Sequence, residues 1–245
     1  MENKKRALIT GSSRGIGRAV AIRLAQDGYE VLVHYSGNRE KALETKAMIE
    51  KIGGTAQIVS ANLCDVEETK KMAQEVGNLD VLVLNASVQY KKGWEEITTT
   101  DCLDQLNCNF VSSLLLIQSA VPSMREKGWG RIVTIGSVQE AKPHPDMLIY
   151  SASKAAQTNM VHSLSLQLAK SGITVNNVAP GVIYTDRNVE ALSDPAYAAH
   201  VTSLIPVGFY GEPEDCAGIV SLLCSEEGRY ITGQSIYVDG GKGIQ

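Results

Sequence analysis

Three side chains between Ser137 and Lys154 have the types and spacing of a proton-transfer site. Tyr150 and Lys154 stand four residues apart, and Ala152, Ala155 and Ala156 around them favour a helix, so both side chains lie on one face and an ammonium sits beside a phenol. An isolated tyrosine has a pKa near ~10, and bringing it to ~7 for acid–base work takes roughly 4 kcal/mol of preferential stabilisation of the anion. A neighbouring lysine cation has the sign to supply it. Ser137 follows the apolar run Arg131-Ile-Val-Thr-Ile-Gly136, which places its hydroxyl at the carboxyl end of a strand, where open α/β sheets bind their ligands. There it can hydrogen-bond a substrate oxygen. A Tyr-x-x-x-Lys pair by itself is an ordinary helix surface, so the chemistry depends on whether the rest of the chain builds a cofactor site beside it.

The elements that must position these residues begin with the apolar run Arg6-Ala-Leu-Ile9, which leads into Thr10-Gly-Ser-Ser-Arg-Gly-Ile-Gly17 and a periodic segment from Arg18 to Asp27. That order is strand, glycine turn, helix. Gly11, Gly15 and Gly17 allow a tight turn and close approach of backbone N–H groups, and the helix N-terminus that follows favours a pyrophosphate. Further strands are expected at 28–35, 56–60, 80–84, 131–136, 173–178 and 234–238, and helices at 38–52, 66–75, 100–127, 150–170 and 212–225. Regular alternation without a linker means a doubly wound parallel sheet of about seven strands, Rossmann-like, with helices on both faces: one dinucleotide-binding and catalytic domain over 1–245. The alternation pauses only at about 182–211, a segment too long for a simple connection and expected to be a substrate loop.

Bulk properties narrow the function classes. The 245 residues carry a formal charge of −4 with lysine and arginine scattered, so nothing in the chain recruits nucleic acid or an anionic membrane, and a small-molecule substrate is expected. Five cysteines lack a C-x-x-C pair, which suggests neither a disulfide framework nor a zinc site, and no metal is expected. The basic start Met1 to Arg6 is followed only by Ala7-Leu-Ile9, far short of a signal sequence or a membrane span. The expected compartment is the cytoplasm.

These residues together carry a family resemblance. Over nearly its whole length the chain resembles the short-chain dehydrogenase/reductase family, closest to the branch of 3-oxoacyl-carrier-protein reductases, through Thr10-Gly-x-x-x-Gly-Ile-Gly17, Asn85-Ala86, Ser137, Tyr150-x-x-x-Lys154, Pro180-Gly181 and Glu212-Pro-Glu-Asp215. The resemblance implies hydride transfer between a nicotinamide and a carbonyl or alcohol, with Tyr150 as acid/base and Ser137 holding the substrate oxygen. Lys154 would bind the nicotinamide ribose and depress the Tyr150 pKa, and Asn109 would support a water linking Lys154 to solvent. For the cofactor it implies Gly11, Ser13, Arg14, Gly15, Ile16 and Gly17 in the turn, Asn62 and Leu63 flanking adenine, and Asn85, Ala86 and Ser87 beneath the ring system. Pro180, Gly181, Ile183 and Thr185 would lie at the nicotinamide carboxamide. It also implies a homotetramer, for which the apolar residues of 103–117 and 160–168, covering more than one helix face, provide surface.

The end of the second strand reads His34-Tyr-Ser-Gly-Asn-Arg39 and has no acid before Glu40. A carboxylate there would bind the ribose hydroxyl of NAD; without one, Arg14 with Ser36, Asn38 or Arg39 can take the 2′-phosphate of NADP(H). Two departures from the family pattern stand out: Ser87 where the family has glycine, and Val88-Gln-Tyr-Lys-Lys-Gly-Trp94 in place of the carrier-protein reductases' segment. The expectation is therefore an NADP(H)-dependent oxidoreductase for a small carbonyl or alcohol, with a 3-oxoacyl-carrier-protein reductase and a catalytically silent NADP-binding sensor or scaffold as alternatives. Candidate substrate contacts are Gln89, Tyr90, Trp94, Gln139, His144, Asp146, Tyr184 and Arg187, with His144, between two prolines, the first to test.

Overall fold

Near-continuous runs of valine, leucine and isoleucine pair into a sheet whose strands are covered on both faces, as parallel strands require. In the computed structural model, which describes residues 4–244, seven parallel strands run in the order β3-β2-β1-β4-β5-β6-β7. They are β1 (Arg6–Ile9), β2 (Glu30–Tyr35), β3 (Thr55–Ser60), β4 (Val81–Leu84), β5 (Gly130–Ile135), β6 (Ile173–Pro180) and β7 (Ser235–Val238). The order reverses between β1 and β4, which opens a crevice at the carboxyl ends of those strands, the place where such sheets bind dinucleotides.

Helices α1 (Gly15–Gln26), α2 (Arg39–Lys51), α3 (Val66–Val76), α4 (Thr99–Leu106), α5 (Ser112–Lys127), α6 (Leu148–Leu168) and α9 (Pro213–Cys224) flank the sheet. Two apolar clusters result. One packs α1 and α9 residues such as Val20, Leu24 and Val220 on Ile9, Val31 and Val133; the other packs Met72, Leu116, Ile117 and Val161 on Leu8, Leu82 and Ile132. Residues of the central strands β1, β2, β4 and β5 therefore alternate between two dry layers, which fixes the register of the strands that carry the site.

Two expectations are revised. The segment 100–127 is not one regular helix: α4 and α5 are joined by a π-helical turn over Asn107–Val111. The segment 182–211 is not an open loop but carries α7 (Val189–Leu192) and α8 (Pro195–Ser203), which bury Leu192, Val201 and Ile205 in a small cluster of their own. Its neck is closed by Tyr184 N–H donating to Gly211 O at 2.7 Å and Gly211 N–H donating to Val182 O at 2.9 Å. Among the described residues no helix is long and apolar enough to cross a membrane, all five cysteines are unpaired, and no cluster of three or more His, Cys, Asp and Glu has the arrangement to hold a metal ion.

Candidate active site

The structure brings Ser137, Tyr150, Lys154 and Asn109 to one place. Ser137 leaves β5 in extended conformation and Tyr150 sits in the first turn of α6, with its hydroxyl in hydrogen-bonding reach of the Ser137 hydroxyl. One turn on, Lys154 is 1% exposed. Its Nζ lies 5.7 Å from the Tyr150 ring centroid and donates to Ile135 O at 2.7 Å and Gln157 Oε1 at 3.3 Å. Burial, with repulsion from Arg187 second, lowers the Lys154 ammonium to a pKa of about 7. Burial also pushes the Tyr150 phenol above its ordinary value. The opposing pull comes from the Arg187 guanidinium, through its charge and a hydrogen bond, and from the Ser137 hydroxyl.

Asn109 is fully buried in the π turn between α4 and α5. Its Oδ1 accepts from Val88 N–H at 2.9 Å, and its Nδ2 donates to Val88 O and to Ser153 Oγ, both at 3.0 Å. The widened turn matters because it releases the Asn109 carbonyl sideways, a common use of π-bulges at functional sites. That carbonyl accepts from Gln157 Nε2 at 3.2 Å. Gln157 thus joins Asn109 to Lys154 through its amide. Sequence reasoning passed over Gln157; the available signal was a polar residue three positions beyond Lys154 on the same helix face.

The glycine turn is packed so that only glycine fits. A Cβ on Gly17 would stand 2.4 Å from Gly11 O and 2.5 Å from Asn85 Nδ2. Gly11 and Gly15 have φ of 65° and 53°, in the left-handed region that side chains avoid. Thr10, Asn85 and His34 clamp the turn from beneath. Asn85 Nδ2 donates to Thr10 O at 2.9 Å and Gly11 O at 3.1 Å, while Thr10 Oγ1 accepts from the N–H groups of Asn85 and Ala86. Gly11 N–H donates to His34 Nδ1 at 2.9 Å, and the other ring nitrogen, Nε2, meets Ala61 O at 3.1 Å. The ring is therefore neutral with its proton on Nε2, and burial lowers its pKa to about 4. No side chain caps the N-terminus of α1, so its first N–H groups and the close-packed glycines fit a dinucleotide pyrophosphate.

Other predicted cofactor residues divide between exposed and committed. Ser36 and Arg39 are exposed beyond β2, whereas Asn38 caps α2 by accepting from Lys41 N–H at 3.0 Å. The Ser13 carbonyl accepts from Arg18 and Thr45, and the Ile16 side chain packs on the core. Asn62 Oδ1 accepts from Cys64 N–H at 3.1 Å, and the Leu63 side chain lies inside the core. Gly181 passes so close to Asp239 that a Cβ would stand 2.8 Å from its Cα, and Pro180 and Ile183 are buried beside it. Thr185 packs on the turn, its Cγ2 within 3.3 Å of a Cβ built on Gly15. Arg14 and Lys41 converge on Asp186 Oδ2 at 3.5 and 2.7 Å; the sequence reading found Arg14 but not its two partners, which come from α2 and from 182–211.

Most of the polar residues suggested as substrate contacts hold their own loops. The His144 ring accepts from Asp146 N–H at 3.1 Å, Tyr90 donates to Asp104 at 3.1 Å, and Gln139 Oε1 accepts from Ser151 Oγ at 3.0 Å. Arg187 is the exception. Its Nη2 donates to Ser87 O at 2.9 Å and Ser87 Oγ at 3.2 Å.

The family described as enoyl-(acyl carrier protein) reductase matches residues 11–242. The chain is 38% identical over 253 aligned residues to a 3-oxoacyl-[acyl-carrier-protein] reductase FabG of Staphylococcus aureus, covering 98% of this chain and 99% of that protein. A crystal structure of a 3-oxoacyl (acyl-carrier-protein) reductase from Agrobacterium tumefaciens C58, with NADP bound, superposes with a TM-score of 0.92 at 34% identity, covering 96% of this chain and 93% of that one. The angucycline C-6 ketoreductase LanV, also with NADP bound, gives 0.92 at 32% identity over 98% and 96% of the two chains. Whole-length likeness of this kind, on a glycine turn clamped as described and a Ser137, Tyr150 and Lys154 set drawn together, places the chain in the short-chain dehydrogenase/reductase family, whose members are oxidoreductases that use a nicotinamide cofactor.

Proposed function

We propose that this protein is an NADP(H)-dependent oxidoreductase that interconverts a small carbonyl and its alcohol. The observation that carries the reading is the Tyr150 hydroxyl beside the Ser137 hydroxyl, above a buried lysine and next to the clamped glycine turn. When bound, the nicotinamide supplies the hydride, and the protein supplies orientation and the proton. Ser137 holds the substrate oxygen, Tyr150 gives or takes the proton on that oxygen, and Lys154 binds the ribose while keeping a proton available to the phenol. Asn109 fixes the backbone at Val88 and orients Gln157. Gly11, Ser13, Gly15, Ile16 and Gly17 take the pyrophosphate, Arg14 with Ser36, Asn38 or Arg39 the 2′-phosphate, and Asn62 with Leu63 the adenine. Asn85, Ala86 and Ser87 support the ribose side, and Pro180, Gly181, Ile183 and Thr185 the carboxamide.

Tyr150→Phe removes the donor but keeps the ring, so turnover falls about 100-fold or more while NADPH affinity is nearly unchanged. The measurement is a screen of carbonyl compounds with NADPH, followed at the nicotinamide absorbance; near-normal turnover by the variant would refute the assignment. A second reading, reduction of 3-oxoacyl groups on a carrier protein, is favoured by the likeness to the Staphylococcus aureus protein, and a carrier-linked 3-oxoacyl thioester belongs in the same screen. The assembly we propose is a homotetramer, and the five unpaired cysteines suit the reducing cytoplasm.

A further inference from the structure

We propose that Arg187 makes this a site for substrates that carry an oxyanion, a carboxylate or phosphate, close to the reacting carbonyl. This deepens the oxidoreductase reading and rests on it. Arg187 extends from 182–211 to the backbone and hydroxyl of Ser87, and its charge is felt at both Tyr150 and Lys154. A guanidinium has five N–H donors in a fixed fork; the two contacts to Ser87 use Nη2, and a further hydrogen bond reaches the Tyr150 hydroxyl. The N–H groups left over, beside the Tyr150 hydroxyl, can bind a carboxylate or phosphate through charge-assisted hydrogen bonds.

The local charge balance points the same way. Arg187 has no ion-pair partner among the described residues, although its chain neighbour Asp186 is an acid, because Asp186 is held by Arg14 and Lys41. The acid felt at Lys154, Glu140, is engaged by Ser235, Thr158 and Asn177. The Tyr150 site thus holds the Arg187 guanidinium without a carboxylate partner, beside a Lys154 that burial has made largely neutral and whose remaining charge faces Glu140. An anion entering with the substrate would balance that charge and bind more strongly once 182–211 covers it and water is excluded. The cofactor pyrophosphate is the rival source of the same oxyanion chemistry. It is disfavoured as the partner because the uncapped α1 N-terminus and the glycine turn offer it N–H groups of their own, whereas Arg187 bonds to Ser87 and to Tyr150.

The test pairs each oxo acid with its neutral ester, acetoacetate with methyl acetoacetate and pyruvate with methyl pyruvate, in wild type, Arg187→Met and Arg187→Lys. The expected result is a kcat/KM for the acid at least tenfold above its ester in one pair, an acid-to-ester ratio that falls at least thirtyfold in Arg187→Met, and partial recovery in Arg187→Lys. NADPH affinity should stay within threefold. A readout free of turnover is calorimetric binding of malonate to the protein saturated with NADP, expected to weaken at least tenfold in Arg187→Met. Malonate binding that depends on Arg187, in a protein that reduces none of the carbonyls, would support the anion seat while counting against the oxidoreductase reading. Weakened NADPH binding in Arg187→Met, with acid and ester affected alike, would assign Arg187 to the cofactor phosphates and overturn the proposal. Equal malonate binding by wild type and Arg187→Met would overturn it as well.

Discussion

At the scale of single residues, the site works by placing a hard-to-ionise phenol beside an easily neutralised amine. Burial drives both groups toward their neutral forms, the pKa of Tyr150 up and that of Lys154 down to about 7, so bringing the phenol into range for acid–base work falls to groups that favour its anion, Arg187 and the Ser137 hydroxyl. Gln157 sets part of that balance, since its Oε1 accepts from the ammonium and so favours the charged form. Gln157→Leu removes that acceptor, takes the Nε2 donor from the Ser113 hydroxyl and leaves the Asn109 carbonyl, which Nε2 also serves, with the Ser113 hydroxyl as its remaining side-chain donor. The expected outcomes are a downward shift in the Lys154-dependent midpoint of the pH–rate profile and a stability loss of about 1–3 kcal/mol. A purely structural role would lower the denaturation midpoint and leave the pH profile in place. Charge also decides the cofactor. With no acid at the end of β2 and with Arg14 and Lys41 turned to one carboxylate, Asp186, a 2′-phosphate has two cations to exchange into. NADPH should bind at least tenfold more tightly than NADH, a difference of about 1.4 kcal/mol, and Arg14→Ala should erode it. Equal or tighter binding of NADH in calorimetry would overturn this preference.

At the scale of elements, the glycine turn shows how secondary structure converts ordinary residues into a binding surface. His34 lies on β2, receives the Gly11 N–H and meets Ala61 O, so one neutral ring ties two strands to the turn. Its folded pKa of about 4 lies below the ordinary 6.5. Above pH 6.5 the ring is neutral folded or unfolded; as pH falls the unfolded chain binds the proton first, so stability is lost between pH 6.5 and 4. The loss amounts to roughly 3 kcal/mol. Urea titrations at pH 7 and 4.5 should show it, and His34→Gln should reduce the difference. Lys154 acts with the same sign in a higher window, adding stability as pH rises from about 7 to 10.5.

These features also mark what was legible beforehand. Strands and helices were readable because most strands are β-branched or leucine runs, and the convergence of Ser137, Tyr150 and Lys154 was readable from residue type and spacing, with Asn109 added by the family resemblance. The π turn at Asn107–Val111 was not, since its sequence continues a helical pattern and only packing against α6 widens it. The structure of 182–211 was hidden for a different reason: α7 has four residues and α8 nine, too short for a periodic signal. The directions in which Tyr150 and Lys154 shift depend on burial depth, and the choice of Arg187 among eight polar candidates depends on which loop folds back over Ser87; neither is encoded in local pattern.

At the scale of the whole molecule, the elements that hold the catalytic groups are also those with apolar surface to spare. Leu103 and Leu106 on α4 are 53% and 37% exposed, and Leu166 on α6 is 84% exposed. Between them runs a groove lined by Phe110, Leu114, Ala156, Met160 and Leu164, formed where the π turn and α5 lie against α6. The inner faces of these helices are already spent on the sheet, so burying the outer faces takes another chain, and closed symmetry lets identical faces do so. Because Asn109 is in the π turn and Tyr150 and Lys154 are on α6, such an interface would stiffen the backbone that carries the site. The protein should therefore sediment as a homotetramer at micromolar concentration. Leu164→Arg, which puts a charge into the groove, should lower the sedimenting mass and reduce turnover together, with NADPH affinity affected less than kcat. A wild-type chain that sediments as a monomer under these conditions would refute the assembly, and a dissociated but fully active Leu164→Arg would show that the site needs no partner.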